Sequence, residues 1–134
     1  MKKQNKNKKV VLAFSGGLDT SFCAFYLMKK GYQVITMTVD TGGFTKKDQE
    51  YIAKQSELVG AIKHYFIDGK KELYEKIASY IIKGNILRGG VYPLSAGPER
   101  LIIAAKLVEI AKKESAIVVA HGSTGAGNDQ VRFD

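Results

Sequence analysis

Hydrophobic positions in this chain form short solid runs, separated by longer stretches in which they recur every three or four residues. A solid run of strand length suits a β-strand buried on both faces, and the longer period suits a helix packed against it. Val10 to Phe14 predicts the first strand, broken at Ser15-Gly16-Gly17. Thr20 to Lys30 predicts a helix with Phe22, Phe25, Tyr26 and Met28 supplying its bulk and Gly31 as its stop. Val34 to Val39 predicts a second strand, ending at Asp40-Thr41-Gly42-Gly43, and Lys46 to Val59 a second helix closed by Gly60. A third strand is expected at His64 to Ile67 and a helix at Glu72 to Ile82, apolar at Leu73, Ile77, Tyr80 and Ile81. A loop spans Gly84 to Gly97; Pro98 then suits the first turn of a helix from Glu99 to Lys113. Ile117 to Ala120 predicts a fourth strand, after which the sequence turns polar and glycine-rich.

Regular strand–helix alternation predicts the α/β class, with a parallel four-stranded sheet, right-handed crossovers and helices on both faces. The expected order is 3-2-1-4, which puts the reversal between strands 1 and 4. Ligands of such Rossmann-like sheets bind at the carboxyl edge beside that reversal, so the loops after strands 1 and 4 are expected to share one crevice.

Composition narrows the picture without redirecting it. The 134 residues are 45% hydrophobic and 25% charged, which suits one globular domain and excludes disordered or collagen-like chains. No apolar run approaches the ~20 residues of a membrane span, and no apolar stretch follows the N-terminal lysines as in a secretory leader. One cysteine, Cys23, cannot form an internal disulfide, so a reducing, cytoplasmic setting is expected, with Cys23 as a small buried hydrophobe. Two histidines and that one cysteine, all scattered, assemble no zinc site; His64 is read as structural or solvent-facing. The net charge of +8 hints at nucleic acid, but Lys2, Lys3, Lys6, Lys8 and Lys9 supply five of those charges. Residues 10–134 hold 16 Lys and Arg against 13 Asp and Glu, a balance that suits a small anionic ligand equally well. Residues 1–9 are therefore taken as a solvated basic tail, and residues 10–134 as the domain.

Chemistry concentrates in the two loops at the expected reversal. Ser15-Gly16-Gly17-Leu18-Asp19-Thr20-Ser21 joins a strand directly to a helix. Its glycines bare the backbone N–H groups, its hydroxyls suit phosphate oxygens, and the helix N-terminus adds positive potential. It has neither the Gly-x4-Gly-Lys-Ser/Thr pattern of a P-loop nor the Gly-x-Gly-x-x-Gly of dinucleotide enzymes. The second loop, His121 to Asp134, sets glycines beside hydroxyl, amide, carboxylate and guanidinium groups, a mixture suited to phosphate or to a zwitterionic amino acid.

The first loop resembles the pyrophosphate-binding Ser-Gly-Gly-x-Asp loop of the ATP pyrophosphatases, which cleave ATP between its α and β phosphates. The segment His121-Gly122-Ser123-Thr124-Gly125-Ala126-Gly127-Asn128-Asp129-Gln130-Val131-Arg132-Phe133 narrows the likeness to one member family. With Ala13 to Ser21 and Tyr92-Pro93-Leu94, it resembles argininosuccinate synthase from about Lys9 onward. That resemblance implies an adenine nucleotide alpha hydrolase fold, and an AMP-forming ligation of citrulline and aspartate within arginine biosynthesis. ATP is a substrate accompanied by Mg²⁺, and no dedicated protein metal site is expected. It implies ATP contacts at Ala13, Phe14, Ser15, Gly16, Gly17, Leu18, Asp19, Thr20 and Ser21, with Ser15 and Asp19 foremost and assigned the catalytic part. Further ATP contacts fall on Val39 at the adenine, and on Ala120, His121 and Gly122, with the loop running on to Asn128. Citrulline contacts fall on Tyr92, Asn128 and Arg132, and aspartate contacts on Thr124, Asn128 and Asp129. Where the family places a citrulline-contacting serine, this chain has Gly97, leaving its backbone N–H or nearby Ser95 to serve. Family members continue into a second domain and form homotetramers, so this chain is expected to be the nucleotide-binding portion, incomplete for turnover. Val131 and Phe133 are accordingly expected to lack packing partners. Two other readings stay open: an RNA-modifying ATP pyrophosphatase, and a non-catalytic ATP-binding module.

Overall fold

The computed structural model describes residues 8–94, 97–125 and 128–133, apart from the side chains of Pro93 and residues 128–130. Four strands, β1 (Lys9–Ala13), β2 (Gln33–Asp40), β3 (Lys63–Asp68) and β6 (Val118–Ala120), form a parallel sheet in the order β3-β2-β1-β6. This is the expected order. A short antiparallel ladder of β4 (Leu87–Arg88) and β5 (Tyr92–Pro93) occupies the stretch expected to be only a loop.

The sheet is covered on both faces because its strands bury both. On one face Val11, Ile35, Met37 and Val39 meet Ile102, Leu107 and Ile110 of α5 (Glu99–Glu114). Leu73 of α3 (Lys70–Leu73) packs against the same cluster. On the other face Val10, Leu12, Phe14 and Val34 meet Ala24 of α1 (Leu18–Lys29) and Ile52 of α2 (Lys46–Leu58). β2 also buries two threonines there, and each has a partner, as buried hydroxyls require. Thr36 Oγ1 lies 2.6 Å from Ser56 Oγ and 2.9 Å from His64 Nδ1, while Thr38 Oγ1 donates to the Phe14 carbonyl. His64 is thus half-buried and structural, and burial pushes its imidazole below the ordinary range.

Several local expectations change. The helix predicted over Glu72 to Ile82 is α3, a π-helical turn at Tyr74–Ala78 and α4 (Ser79–Lys83). Helix α1 starts two residues earlier than expected, at Leu18, and it turns Phe22, Phe25 and Tyr26 outward at 65%, 61% and 49% exposure. Small Ala24 is its buried contact, with Cys23, Leu27 and Met28 beside it. In the polar, glycine-rich run after β6, α6 (Asn128–Phe133) forms, and Phe133 packs against the α5-face core, although Val131 is exposed.

At the amino edge of the sheet, opposite the reversal's loops, Glu114 at the end of α5 gathers three partners. It accepts from Lys63 Nζ at 2.6 Å, from Lys9 Nζ at 3.3 Å and from the Tyr65 hydroxyl. The Lys63 ammonium first, then the Tyr65 hydroxyl, hold its carboxyl down at about 2. A carboxyl whose pKa is lower in the folded chain stabilises the fold above its unfolded value and loses that contribution as pH falls through the folded one. Wild type is therefore expected to melt above Glu114→Gln at neutral pH, and the gap to close between about pH 4.5 and 2. Melting curves across that range check this, and a gap independent of pH would contradict it.

Candidate functional site

An open cleft of about 760 Å³ lies at the carboxyl edge of the sheet, between the loops that follow β1 and β6. Its first wall is the β1–α1 turn. Gly17 is the N-cap of α1, and no side chain caps the helix, so the first-turn amides keep their donors for a ligand. Thr20 Oγ1 braces the turn: it accepts from Ser15 N at 3.3 Å, lies 3.2 Å from Ser15 Oγ and donates to Gly17 O at 3.3 Å. Gly16 needs its φ of +75°, and a Cβ there would sit 3.3 Å from Ile52 Cγ1. The Thr38–Phe14 bond ties the start of the turn to β2.

The second wall is the β6–α6 segment. Gly122 lets the two loops close on each other, since a Cβ there would stand 3.0 Å from Thr20 Cγ2. Among the contacts that hold His121, its Nδ1 accepts from Ser123 N at 3.2 Å, and its ring stacks on Phe133 with centroids 4.7 Å apart. The far end of the cleft is formed by Val39, Thr41 and Phe44 at the end of β2.

Of the residues singled out from sequence, Ala13, Phe14, Ser15, Gly17, Leu18, Asp19 and Thr20 line the first wall. Val39, His121, Gly122, Thr124 and Arg132 line the rest. Gly16, Ser21 and Ala120 back the walls rather than face the cleft. Tyr92 stands apart on the β4–β5 ladder, 56% exposed. Gly97 is buried, and its N–H is already donated to Glu99 Oε2 at 2.5 Å, so it does not stand in for a serine donor. Instead the Arg132 guanidinium occupies the space of a residue-97 side chain, with a Cβ there 2.6 Å from Arg132 Cζ. Ser95 and the side chains of Asn128 and Asp129 lie outside the described residues; α6 carries the backbone of the latter two.

Sequence reading missed Arg100, Thr41, Phe44 and Phe133 on this surface. Arg100 sits in the first turn of α5, 3.2 Å from Glu99, and adds a second arginine to the residues that line the cleft. The available signal was a cation in the first turn of a helix that starts at the carboxyl edge, where the helix dipole disfavours positive charge unless an anion is nearby.

Asp19 is the acidic residue among the described lining residues. Behind it Cys23 is partly buried, and burial, reinforced by the charge of Asp19, pushes its thiol up. A thiol held protonated is a poor nucleophile. Among the described residues no group of three or more His, Cys, Asp or Glu is placed to hold a metal ion, and no helix is long and apolar enough to cross a membrane. The arrangement offers backbone donors and a helix terminus at the β1–α1 turn, two arginines on the lining, and the side chains of Val39, Thr41 and Phe44 at the end of β2. That suits a molecule with a polyphosphate and a flat base.

Comparison with known proteins agrees with this geometry. A profile described as the arginosuccinate synthase N-terminal HUP domain matches residues 9–134. The chain is 53% identical over 127 residues to argininosuccinate synthase of Sulfurisphaera tokodaii, and 50% identical over 127 residues to that of Pyrococcus furiosus. Over 130 residues it is 46% identical to the enzyme of Bacillus pumilus. These matches cover 94%, 94% and 97% of this chain but 32%, 30% and 32% of the relatives, so the chain spans about a third of their length. Among solved structures, NMN synthetase from Francisella tularensis shares the fold with a TM-score of 0.61 at 17% identity, covering 85% of this chain and 44% of that one. An NH3-dependent NAD synthetase from Campylobacter jejuni gives 0.61 at 18%, covering 86% and 48%.

Proposed function

This chain belongs to the argininosuccinate synthase family through its N-terminal HUP domain, and we propose that it holds MgATP in the β1–β6 cleft as the nucleotide-binding part of a cytoplasmic ligase. The observation that carries this reading is the uncapped α1 N-terminus at Gly17, facing the glycine-rich β6 loop across a cleft that Val39, Thr41 and Phe44 also line. In this reading the departing pyrophosphate lies on the Gly16–Gly17 backbone and the α1 N-terminus. The adenine lies against Val39, Thr41 and Phe44. Mg²⁺ enters with ATP, held mainly by phosphate oxygens, and the hard oxygens of Asp19, Ser15 and Thr20 fit such an ion.

The reaction proposed is the family's two-step ligation. The ureido oxygen of citrulline attacks the α-phosphorus and pyrophosphate leaves; the amine of aspartate then displaces AMP. This chain's residues would position and neutralise charge rather than supply a covalent nucleophile. Arg132 would pair with a substrate carboxylate and Asp129 with a substrate ammonium, with Thr124, Asn128 and Tyr92 completing the two amino-acid sites. Gly97 would serve citrulline indirectly, by leaving room for the Arg132 guanidinium. The single cysteine, with its thiol pushed up, speaks against the thiol chemistry of an RNA-modifying relative.

Calorimetric titration with MgATP is expected to show one saturable site, competed by inorganic pyrophosphate. No measurable affinity would reject the reading. In a polypeptide carrying the remaining length of the relatives, Asp129→Asn and Arg132→Ala are each expected to reduce citrulline- and aspartate-dependent pyrophosphate release by about a hundredfold. Unchanged release would remove those two residues from the amino-acid sites.

A further inference from the structure

We infer that Asp40 is a positioning residue for the base end of the cleft, its buried carboxylate fixing the Thr41–Phe44 wall through a contact with the half-exposed Lys70. The inference rests on the reading that a nucleotide occupies the cleft, and concerns how its base is recognised.

Between Asp40 at the end of β2 and Thr45, the N-cap of α2, the chain passes through Thr41-Gly42-Gly43-Phe44. Two adjacent glycines make this turn soft, and Gly42 sits at φ +113°. Yet Thr41 and Phe44, on either side of them, form part of the cleft wall. Something must hold the turn still, and the Asp40 carboxylate is placed to do so. It is 2% exposed, its Oδ1 accepts from Gly42 N at 2.8 Å, and its Oδ2 accepts from Lys70 Nζ at 2.8 Å. Lys70 first, then the Gly42 amide, hold its carboxyl below the usual carboxylate range, and the Phe44 amide adds to the effect.

Lys70 is itself fixed from the neighbouring strand. Asp68 stands beside Asp40 in the β2–β3 register, and its carboxylate takes the Lys70 backbone N–H at 3.0 Å. Gly69 N donates to the Asp40 carbonyl at 2.8 Å, and Gly69 presses so close that a Cβ there would meet Val39 Cγ1 at 2.6 Å. Val39, Thr41 and Phe44 are thus backed by one connected unit, and Phe44 is further set edge-on to Phe66 at 5.8 Å. A buried ion pair is weak evidence for stability, because well-packed apolar groups often serve as well. Its directional hydrogen bonds do specify one position for a turn that would otherwise have many. Neither Asp40 nor Lys70 lines the cleft, and both lie away from the phosphate end.

The test is to titrate wild type, Asp40→Asn, Lys70→Met and the double variant with MgATP and, separately, with magnesium tripolyphosphate, which carries the phosphates without the base. Asn keeps an oxygen for Gly42 but turns an amide toward the Lys70 ammonium. Asp40→Asn is expected to weaken ATP about tenfold while leaving tripolyphosphate within about twofold. Lys70→Met, on a half-exposed side chain, is expected to do the same more mildly. The double variant is expected to be little weaker than Asp40→Asn, because both changes break the Asp40–Lys70 contact, and the other pairing that Lys70→Met removes, with Asp68 Oδ2 at 3.5 Å, is exposed. Should Asp40→Asn not fold, Lys70→Met alone decides. ATP affinity unchanged in the variants would overturn the inference, and so would a parallel loss of tripolyphosphate, the mark of a general structural role. Wild type binding neither ligand would overturn the nucleotide reading itself, and this inference with it.

Discussion

Gly17→Val is expected to lose more than about a hundredfold in MgATP affinity, roughly 2.7 kcal/mol, while melting close to wild type. Gly17 has φ −81° and ψ 173°, an extended conformation open to valine. A Cβ on it would meet only Ser15 Oγ, at an ordinary 3.4 Å. The fold therefore has little reason to object. A ligand does, because the new side chain would stand at the N-terminus of α1, where a phosphate must approach the amides of the first turn. Gly16→Val would be the wrong experiment: its φ of +75° and the 3.3 Å approach to Ile52 would confuse lost folding with lost binding. Calorimetry paired with a thermal melt separates the two effects. Affinity within threefold of wild type would show that the phosphates do not lie on this turn.

Ile35→Ala is expected to cost about 2–5 kcal/mol of unfolding free energy, the range for deleting a large aliphatic side chain from a closed core. Ile35 is fully buried in β2, which has β1 on one side and β3 on the other, and belongs to the cluster beneath α5. For a chain of this size that is a large part of the whole stability, ~5–15 kcal/mol. Val119→Ala on the edge strand β6, where the side chain is 46% exposed, should cost less than about 1 kcal/mol. Urea unfolding of both variants beside wild type checks the contrast. Equal losses would mean that the sheet does not bury its centre more deeply than its β6 edge.

The elements that sequence reading placed well are those whose signal is local. Val10 to Phe14 is a solid apolar run, and Val34 to Val39 is apolar and β-branched with Thr36 and Thr38 between, because both faces of a parallel strand are covered, and that requirement is written in consecutive residues. Gly31 and Gly60 mark helix ends because each adopts a positive φ just beyond its helix. The paired walls of the cleft were legible for a similar reason. Once four strands alternate with helices, few topologies are available, and the glycine-rich loops after β1 and β6 fall at the reversal of the sheet.

Helix α1 shows where that reasoning stops. From Phe22 to Met28 every residue is apolar or aromatic, so the pattern carries no direction. Close packing of the helix on the sheet selected Ala24 as the buried contact and left Phe22 and Phe25 outside. The length of α3 to α4 was legible, but its π-helical turn was not, and α6 was hidden in a run whose polar, glycine-rich composition suggests a loop.

Sequence alone thus determined the alternation of strands and helices and the glycine-rich loops after β1 and β6, because each is written in a contiguous segment; the strand order was an expectation drawn from that alternation, and the sheet bears it out. Tertiary structure alone decided which groups share the cleft. Arg100 and Arg132, from different helices, both line it, Phe133 stacks on His121, and Asp40 finds Lys70 thirty residues away. Such pairings depend on where separate elements end in space, and no periodicity within a segment encodes the distance between two segment ends.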